Sequence, residues 1–255
     1  MKLRAASLLL FVASASGGLM GCETRTLQSL VRPSSEGLVA HWGCDEASGD
    51  VLHDTSGNGH DGNITGATFT TGRFGNALSL ERGQYVTVPA FPPASNNWTV
   101  ALWMQIRSPL SDSGDASLLT TDLASAGGWA MIINDVRLDV DFRYWDGTPA
   151  AGDGYESYAC SRGCLAADRW IHLVYVVDGD AKTLTLYTDG ALRDPIPIQG
   201  SIKPGSADLQ IGCGTSESLT YAGLLDDIAI YSRVLSQSEV QLLRNAAVPD
   251  LAARP

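Results

Sequence analysis

Basic side chains are scarce in this chain: Lys and Arg number 17 against 28 Asp and Glu, a formal charge of −11. A surface of that sign repels phosphate backbones and anionic headgroups, so nucleic acid and charge-driven lipid binding are excluded, while sugars and divalent cations are compatible. Long hydrophobic runs are also missing. Beyond the first residues no apolar stretch approaches the ~20 residues of a spanning helix. Glutamate is sparse, and the many aspartates sit mostly beside Gly, Ser and Thr, in the manner of loops. No internal repeat or low-complexity domain is present. There is no Gly-x-Ser-x-Gly elbow, which removes the commonest serine-nucleophile signature.

At the start, Lys2 and Arg4 precede an apolar run from Ala5 to Ala13 and then small residues. That is the order of an export signal. It ends in Leu19-Met20-Gly21-Cys22, which resembles the bacterial lipoprotein cleavage box, with Met20 where a smaller residue is commoner. The resemblance implies cleavage before Cys22, a lipid on that cysteine and a membrane anchor made of acyl chains. Glu23, where an Asp would favour the inner membrane, points to the outer membrane of a Gram-negative cell envelope. The expected organisation is a leader over 1–21, a polar tether over 22–35, one domain over 36–246 and a frayed tail over 247–255.

Four cysteines remain after Cys22: Cys44, Cys160, Cys164 and Cys213. An exported chain meets an oxidising compartment, and four cysteines allow three pairings. Cys160 and Cys164 flank Ser161-Arg162-Gly163 and are expected to close a short clip, leaving Cys44 for Cys213. Zinc is the rival use, but the spacing between the pairs fits no common zinc pattern and no His lies near the close pair.

From Gly37 on, short apolar runs alternate with Gly, Asp and Pro clusters. In Trp98–Ile106 the residues Trp98, Val100, Leu102, Met104 and Ile106 share a face, a strand period. Trp170–Val177, the Asp178-Gly179-Asp180 punctuation and Thr183–Thr188 read as a hairpin. Many short strands at regular spacing predict an all-β, two-sheet antiparallel sandwich. One short helix is predicted near the end, over Gln237 to about Asn245. Ser236 and Glu239 form a capping box there, with Leu235 and Val240 as a hydrophobic staple.

The most distinctive segment is Asp54-Thr55-Ser56-Gly57-Asn58-Gly59-His60-Asp61-Gly62. Its short oxygen donors and three glycines suit a calcium ion or a plain surface turn. It is not an EF-hand, because Thr65 stands where the twelfth-position Glu is required. Around it run Gly37–Trp42, Asp45–Gly49, Gly72–Leu78, Tyr85–Pro89, Trp98–Trp103, Arg169–His172, Leu186–Gly190 and Gly223–Tyr231. In that order and spacing, from about 37 to 245, the chain resembles the bacterial laminin G-like modules of the concanavalin A-like lectin/glucanase superfamily. The resemblance implies a jelly-roll sandwich whose first and last strands are adjacent. It also implies a structural Ca2+ where the glycine-rich loop meets the last strand. Asp226 has the parity of Ile228 and Ile230, and a buried carboxylate needs a partner or a metal. The expected ligands are Asp54, Asn58 and Asp226, with Asp227 as the alternative to Asp226.

The superfamily includes glycoside hydrolases, which need two carboxylates flanking the scissile bond. The Glu-x-Asp-x-x-Glu strand of the laminarinase-like branch is absent. Asp135, Asp139 and Asp141 come nearest, and the alternation with Leu138, Val140 and Phe142 reads as a solvated face. His41 and His172, each beside a Trp in a strand, read as satisfied core or edge histidines. Recognition of a glycan or a cell-surface protein is the expected role. Arg143, Tyr144, Trp145 and Asp146 are the candidate contacts, leading into a long loop rich in Gly, Asp and Tyr. A hydrolase or lyase with an atypical carboxylate pair is the alternative.

Overall fold

The structure is a computed structural model. It describes residues 33–92, 95–107, 114–121, 128–134, 138–145, 155–159, 165–193, 195–198, 202, 207–214 and 219–248. The strands are β1 Leu38–Trp42, β2 Val51–Leu52, β3 Gly62–Thr65, β4 Thr68–Thr71, β5 Asn76–Leu80, β6 Tyr85–Phe91, β7 Asn97–Ile106, β8 Asp115–Thr120 and β9 Trp129–Asn134. They continue as β10 Asp139–Trp145, β11 Tyr155–Ala159, β12 Ile171–Asp178, β13 Thr183–Thr188, β14 Ala191–Leu192, β15 Ile196–Pro197, β16 Ala207–Ile211 and β17 Gly223–Tyr231. The helix α1 spans Gln237–Asn245.

Two antiparallel sheets form. Sheet A runs β14-β13-β12-β7-β17-β5-β4, with β1 on β17 and β15 on β13; sheet B runs β11-β10-β9-β8-β16-β6-β3-β2. The first and last strands pair, as the resemblance implied. The β12–β13 hairpin forms as predicted, with Asp178 opposite Thr183. The core lies between the sheets. Trp98, Val100, Leu102, Met104 and Ile106 from β7 face Trp129, Met131 and Ile133 of β9 and Val140, Phe142 and Tyr144 of β10. This is the period-two segregation of a half-buried strand, repeated until two apolar faces close on each other.

A second apolar cluster lies on the far side of sheet A. Leu235, Val240, Leu243 and Val248 cover Ala101, Val174, Val176, Tyr187 and Ala229 there. The helix starts as expected. Ser236 Oγ accepts from Glu239 N and the Glu239 side chain accepts from Ser236 N, a capping box. Arg233 hydrogen-bonds Glu239, and that contact above all holds the Glu239 carboxyl down to about 2. Ser236→Ala should cost about 1 kcal/mol in a urea melt; no measurable loss would mean that packing alone fixes the helix start. The chain stays packed further than expected. Val248 is buried and its N–H donates to Asp227 Oδ1 at 3.1 Å, so the tail does not begin at 247.

Candidate functional site

The glycine-rich loop folds around one carboxylate. Asp54 Oδ1 accepts from His41 N at 3.0 Å and Ser56 N at 2.9 Å; Oδ2 accepts from Ser56 Oγ at 2.8 Å and His60 N at 2.9 Å. Burial alone would raise the Asp54 pKa, but those donors outweigh it and hold the carboxyl below its ordinary value. Gly57 and Gly59, at φ 86 and 82, turn the chain back so that the His60 N–H points inward. Asn58 Nδ2 donates to Leu38 O at 3.0 Å and Val39 O at 2.9 Å, tying the loop to β1. The Asp54 carboxylate and the Asn58 NH2 are therefore committed to protein partners.

The loop and the last strand do meet, through His41. Its Nδ1 contacts Thr55 Oγ1, and its Nε2 lies 2.7 Å from Asp227 Oδ1. His41 is 2% exposed and satisfied at both nitrogens, as expected of a core histidine.

Asp226 is placed differently from the sequence expectation. A β-bulge between Asp226 and Ala229 inserts Asp227, at φ 47, into β17. Asp226 therefore pairs with Trp103 on the outer side of sheet A, while Ile228 and Ile230 point into the core. Its Oδ2 accepts from Arg73 N at 2.7 Å and Phe74 N at 2.9 Å, and its Oδ1 is buried with no partner. Burial, with a contribution from the Asp227 carboxylate, pushes the Asp226 carboxyl up to about 7 against those N–H groups. Among the described residues, no group of three His, Cys, Asp or Glu side chains is set to hold a metal. Asp54 and Asp226 accept from separate sets of main-chain N–H groups. Asp226 Oδ1 and Glu46 Oε2 are buried carboxylate oxygens without a protein partner.

No bridge joins Cys44 to Cys213. The Cys44 thiol donates to Trp42 O at 3.7 Å and the Cys213 thiol to Gly214 O at 3.2 Å. Cys44 follows a strand of sheet A and Cys213 a strand of sheet B. Burial above all pushes the Cys44 thiol well up, so it stays protonated. Cys22, Cys160, Cys164 and Asp146 lie outside the described residues, as do Asp135 and the side chain of Trp145.

The candidate contacts on β10 divide by face. Tyr144 points into the core beside Phe142, with ring centroids 6.4 Å apart, and cannot touch a ligand on the surface that Arg143 occupies. Successive side chains of a strand point to opposite sides, so the two were never able to share a face. Arg143 lies on the outer side of sheet B, half-buried. Its Nη2 donates to Asp115 Oδ2 at 3.0 Å and its Nε to Asp141 Oδ2 at 3.2 Å, while Asn134 Nδ2 donates to Asp115 Oδ1 at 2.8 Å.

Register extends this cluster across the sheet. Arg143, Ala130, Thr120, Gln210, Thr87 and Asn63 are successive partners on β10, β9, β8, β16, β6 and β3. Beside that row lie Asp141, Ile132 and Ser117, then Asp139, Asn134 and Asp115. The row opens toward solvent along its length: Thr120 is buried, Gln210 and Thr87 intermediate, Asn63 exposed. Asp139 and Asp141, expected to be solvated, are 5% and 6% exposed. Alternation told the two sides of β10 apart but not that the outer side is sheltered. Pairing of Arg143 with carboxylates was not visible in the sequence, because Asp115 sits 28 positions away and only the β8-β9-β10 register brings it near.

Two antiparallel sheets with paired first and last strands define a jelly-roll sandwich of the concanavalin A-like class. The Laminin_G_3 profile of the concanavalin A-like lectin/glucanases superfamily matches residues 80–241, and the chain belongs to that family. The adhesion G-protein coupled receptor V1 of Danio rerio is 23% identical over 189 residues, 71% of this chain and 3% of that receptor. The chain thus spans a small fraction of that relative. Among solved structures, the binding domain of Paraclostridial Mosquitocidal Protein 1 superposes with a TM-score of 0.64 at 19% identity, covering 83% of this chain and 52% of that one. Domain 4 of AbnA, a GH43 extracellular arabinanase of Geobacillus stearothermophilus solved with arabinotriose, gives 0.59 at 20% identity, covering 81% and 98%. The binding domain of botulinum neurotoxin serotype D gives 0.61 at 15%, covering 83% and 52%. At these identities the likeness is one of fold.

Proposed function

We propose that the chain is a non-catalytic recognition module of the cell envelope, anchored by lipid at Cys22, that binds a glycan on the outer face of sheet B. The observation that carries this is the Arg143 cluster: a guanidinium held between Asp115 and Asp141, at the head of a mostly polar row crossing six strands. Fixed donors and acceptors favour a ligand rich in hydroxyl groups, since each group is oriented before binding. Domain 4 of AbnA, of the same fold, was solved with arabinotriose, which is consistent with a sugar ligand.

A glycan array with the purified chain, run beside a polysaccharide-degradation screen, tests the proposal. Binding without cleavage is expected. Arg143→Lys keeps the charge but loses the planar fork, and it should weaken the glycan signal about tenfold. Unchanged binding would remove the cluster from the contact surface. Cleavage abolished by Asp139→Asn would replace recognition with hydrolysis, and capture of cell-surface proteins alone would replace the glycan with a protein partner. A structural calcium belongs to this proposal only at Asp226 Oδ1, a buried carboxylate oxygen with no donor. A melt in millimolar calcium against chelator tests it, and an unchanged midpoint removes the ion.

A further inference from the structure

The amide that latches the glycine-rich loop to β1 sits in a chemically labile dipeptide. Asn58 is followed by Gly59, and none of the other six asparagines in the chain precedes a glycine. Asn58 and Gly59 are both exposed. A Cβ built on Gly59 would meet no heavy atom within 4 Å beyond its chain neighbours, so the dipeptide is open to water. The Gly59 N–H makes no hydrogen bond among the described residues. Glycine also has no side chain to block the approach of its nitrogen to the Asn58 amide.

Replacing that amide with an acid would undo the latch. Asn58 Nδ2 donates to Leu38 O and Val39 O, whereas a carboxylate only accepts and would face two carbonyl oxygens. The new charge would stand in a loop that already holds Asp54 and Asp61. An isoaspartyl link goes further, because it lengthens the backbone by a methylene between Gly57 and Gly59. Those glycines, at φ 86 and 82, set the curl that brings the His60 N–H to Asp54 Oδ2 at 2.9 Å.

We propose that Asn58 is a deamidation site whose conversion irreversibly releases the glycine-rich loop from β1. The Gly59 nitrogen attacks Asn58 Cγ and bonds to it. The Cγ–Nδ2 bond breaks, and Nδ2 leaves as ammonia with the proton that Gly59 gives up. Water then opens the cyclic imide at Cγ to give aspartate, or at the Asn58 main-chain carbonyl carbon to give isoaspartate; nothing is oxidised or reduced. The purified chain is aged at pH 9 and at pH 5, mapped by peptide mass spectrometry and melted at pH 7. Asn58 should convert faster than the other six asparagines. It should convert faster at pH 9, because the attacking nitrogen reacts in its deprotonated form. The converted chain should melt about 5 °C below the fresh one, the fall expected from losing two hydrogen bonds in a domain of this size. Asn58→Asp, never aged, should show a similar fall. Asn58→Gln, whose longer side chain closes a ring less readily, should keep its own midpoint through ageing. An Asn58 that stays an amide at pH 9, converts as fast at pH 5, or converts no faster than the other asparagines would overturn the proposal. So would a converted chain that melts where the fresh one does, or an equal fall in aged Asn58→Gln, which would place the damage elsewhere. Should Asn58→Gln fail to fold, the peptide map and the Asn58→Asp melt still decide it.

Discussion

Asp54→Ala is expected to lower stability by about 3 kcal/mol, more than any surface substitution in this chain should. The carboxylate accepts from three main-chain N–H groups and one hydroxyl, one from His41 of β1 and the others from Ser56 and His60 of the loop between β2 and β3. Alanine would leave those donors facing one another without an acceptor, and each unsatisfied buried donor costs about 1–3 kcal/mol before relaxation admits water. Asp54→Asn should fall between, since its amide oxygen keeps one acceptor while its NH2 confronts an N–H. The pH dependence has a definite sign. The folded carboxyl sits below its ordinary value, so its contribution is complete above the unfolded value near 3.9 and disappears as pH falls through the folded one. Urea melts of natural and Asp54→Ala chains at pH 7 and pH 3 should therefore show a gap that narrows in acid. A loss under about 1 kcal/mol at pH 7 would mean that the loop is not organised by this side chain.

What was legible in the sequence followed from periodicity and local chemistry. The inner face of β7, the β12–β13 hairpin, the Ser236 capping box and the pairing of first and last strands all stand as expected. Each depends on residues close in sequence, or on a strand order shared by the family. The failures share a physical cause, which is that a local pattern cannot register an insertion or a cover. Asp226 was assigned the face of Ile228 by strict alternation, and the bulge at Asp227 shifts that parity by one residue. The consecutive aspartates inside an apolar strand were the available hint. Asp139 and Asp141 alternate correctly but lie on a sheltered face, and alternation carries no information about what lies above a sheet. Cys44 and Cys213 were matched by remainder, and each thiol instead donates to a nearby main-chain carbonyl. The Asp54 cage was half visible, because Asn, Ser, Gly and Asp announce a turn. Only the coordinates show that all four donors fall on one carboxylate.

Asp226→Asn should stabilise the chain at pH 8 and leave it nearly unchanged at pH 4. Asp226 is fully buried, with two N–H donors on Oδ2 and none on Oδ1, so its charged form is poorly solvated. Its folded pKa is about 7, against about 3.9 unfolded. A carboxyl whose folded pKa is raised binds its proton more tightly in the native state. Its contribution to stability is fully present below the unfolded value and is lost as pH rises through the folded one. Three pKa units correspond to a loss on the order of 4 kcal/mol between pH 4 and pH 8. Asparagine keeps an oxygen for the Arg73 and Phe74 N–H groups, puts a neutral amide where Oδ1 stood and does not titrate. In chelator, the melting midpoint of the natural chain should therefore fall relative to Asp226→Asn as pH rises, with most of the divergence between pH 5 and 8. A pH-independent difference between the two would mean that Asp226 ionises normally in the folded chain. Repeating the pH 8 melt in calcium separates the occupants of Oδ1: an ion there would raise the natural chain and leave Asp226→Asn where it was, whereas a proton alone gives the same midpoint with calcium or chelator.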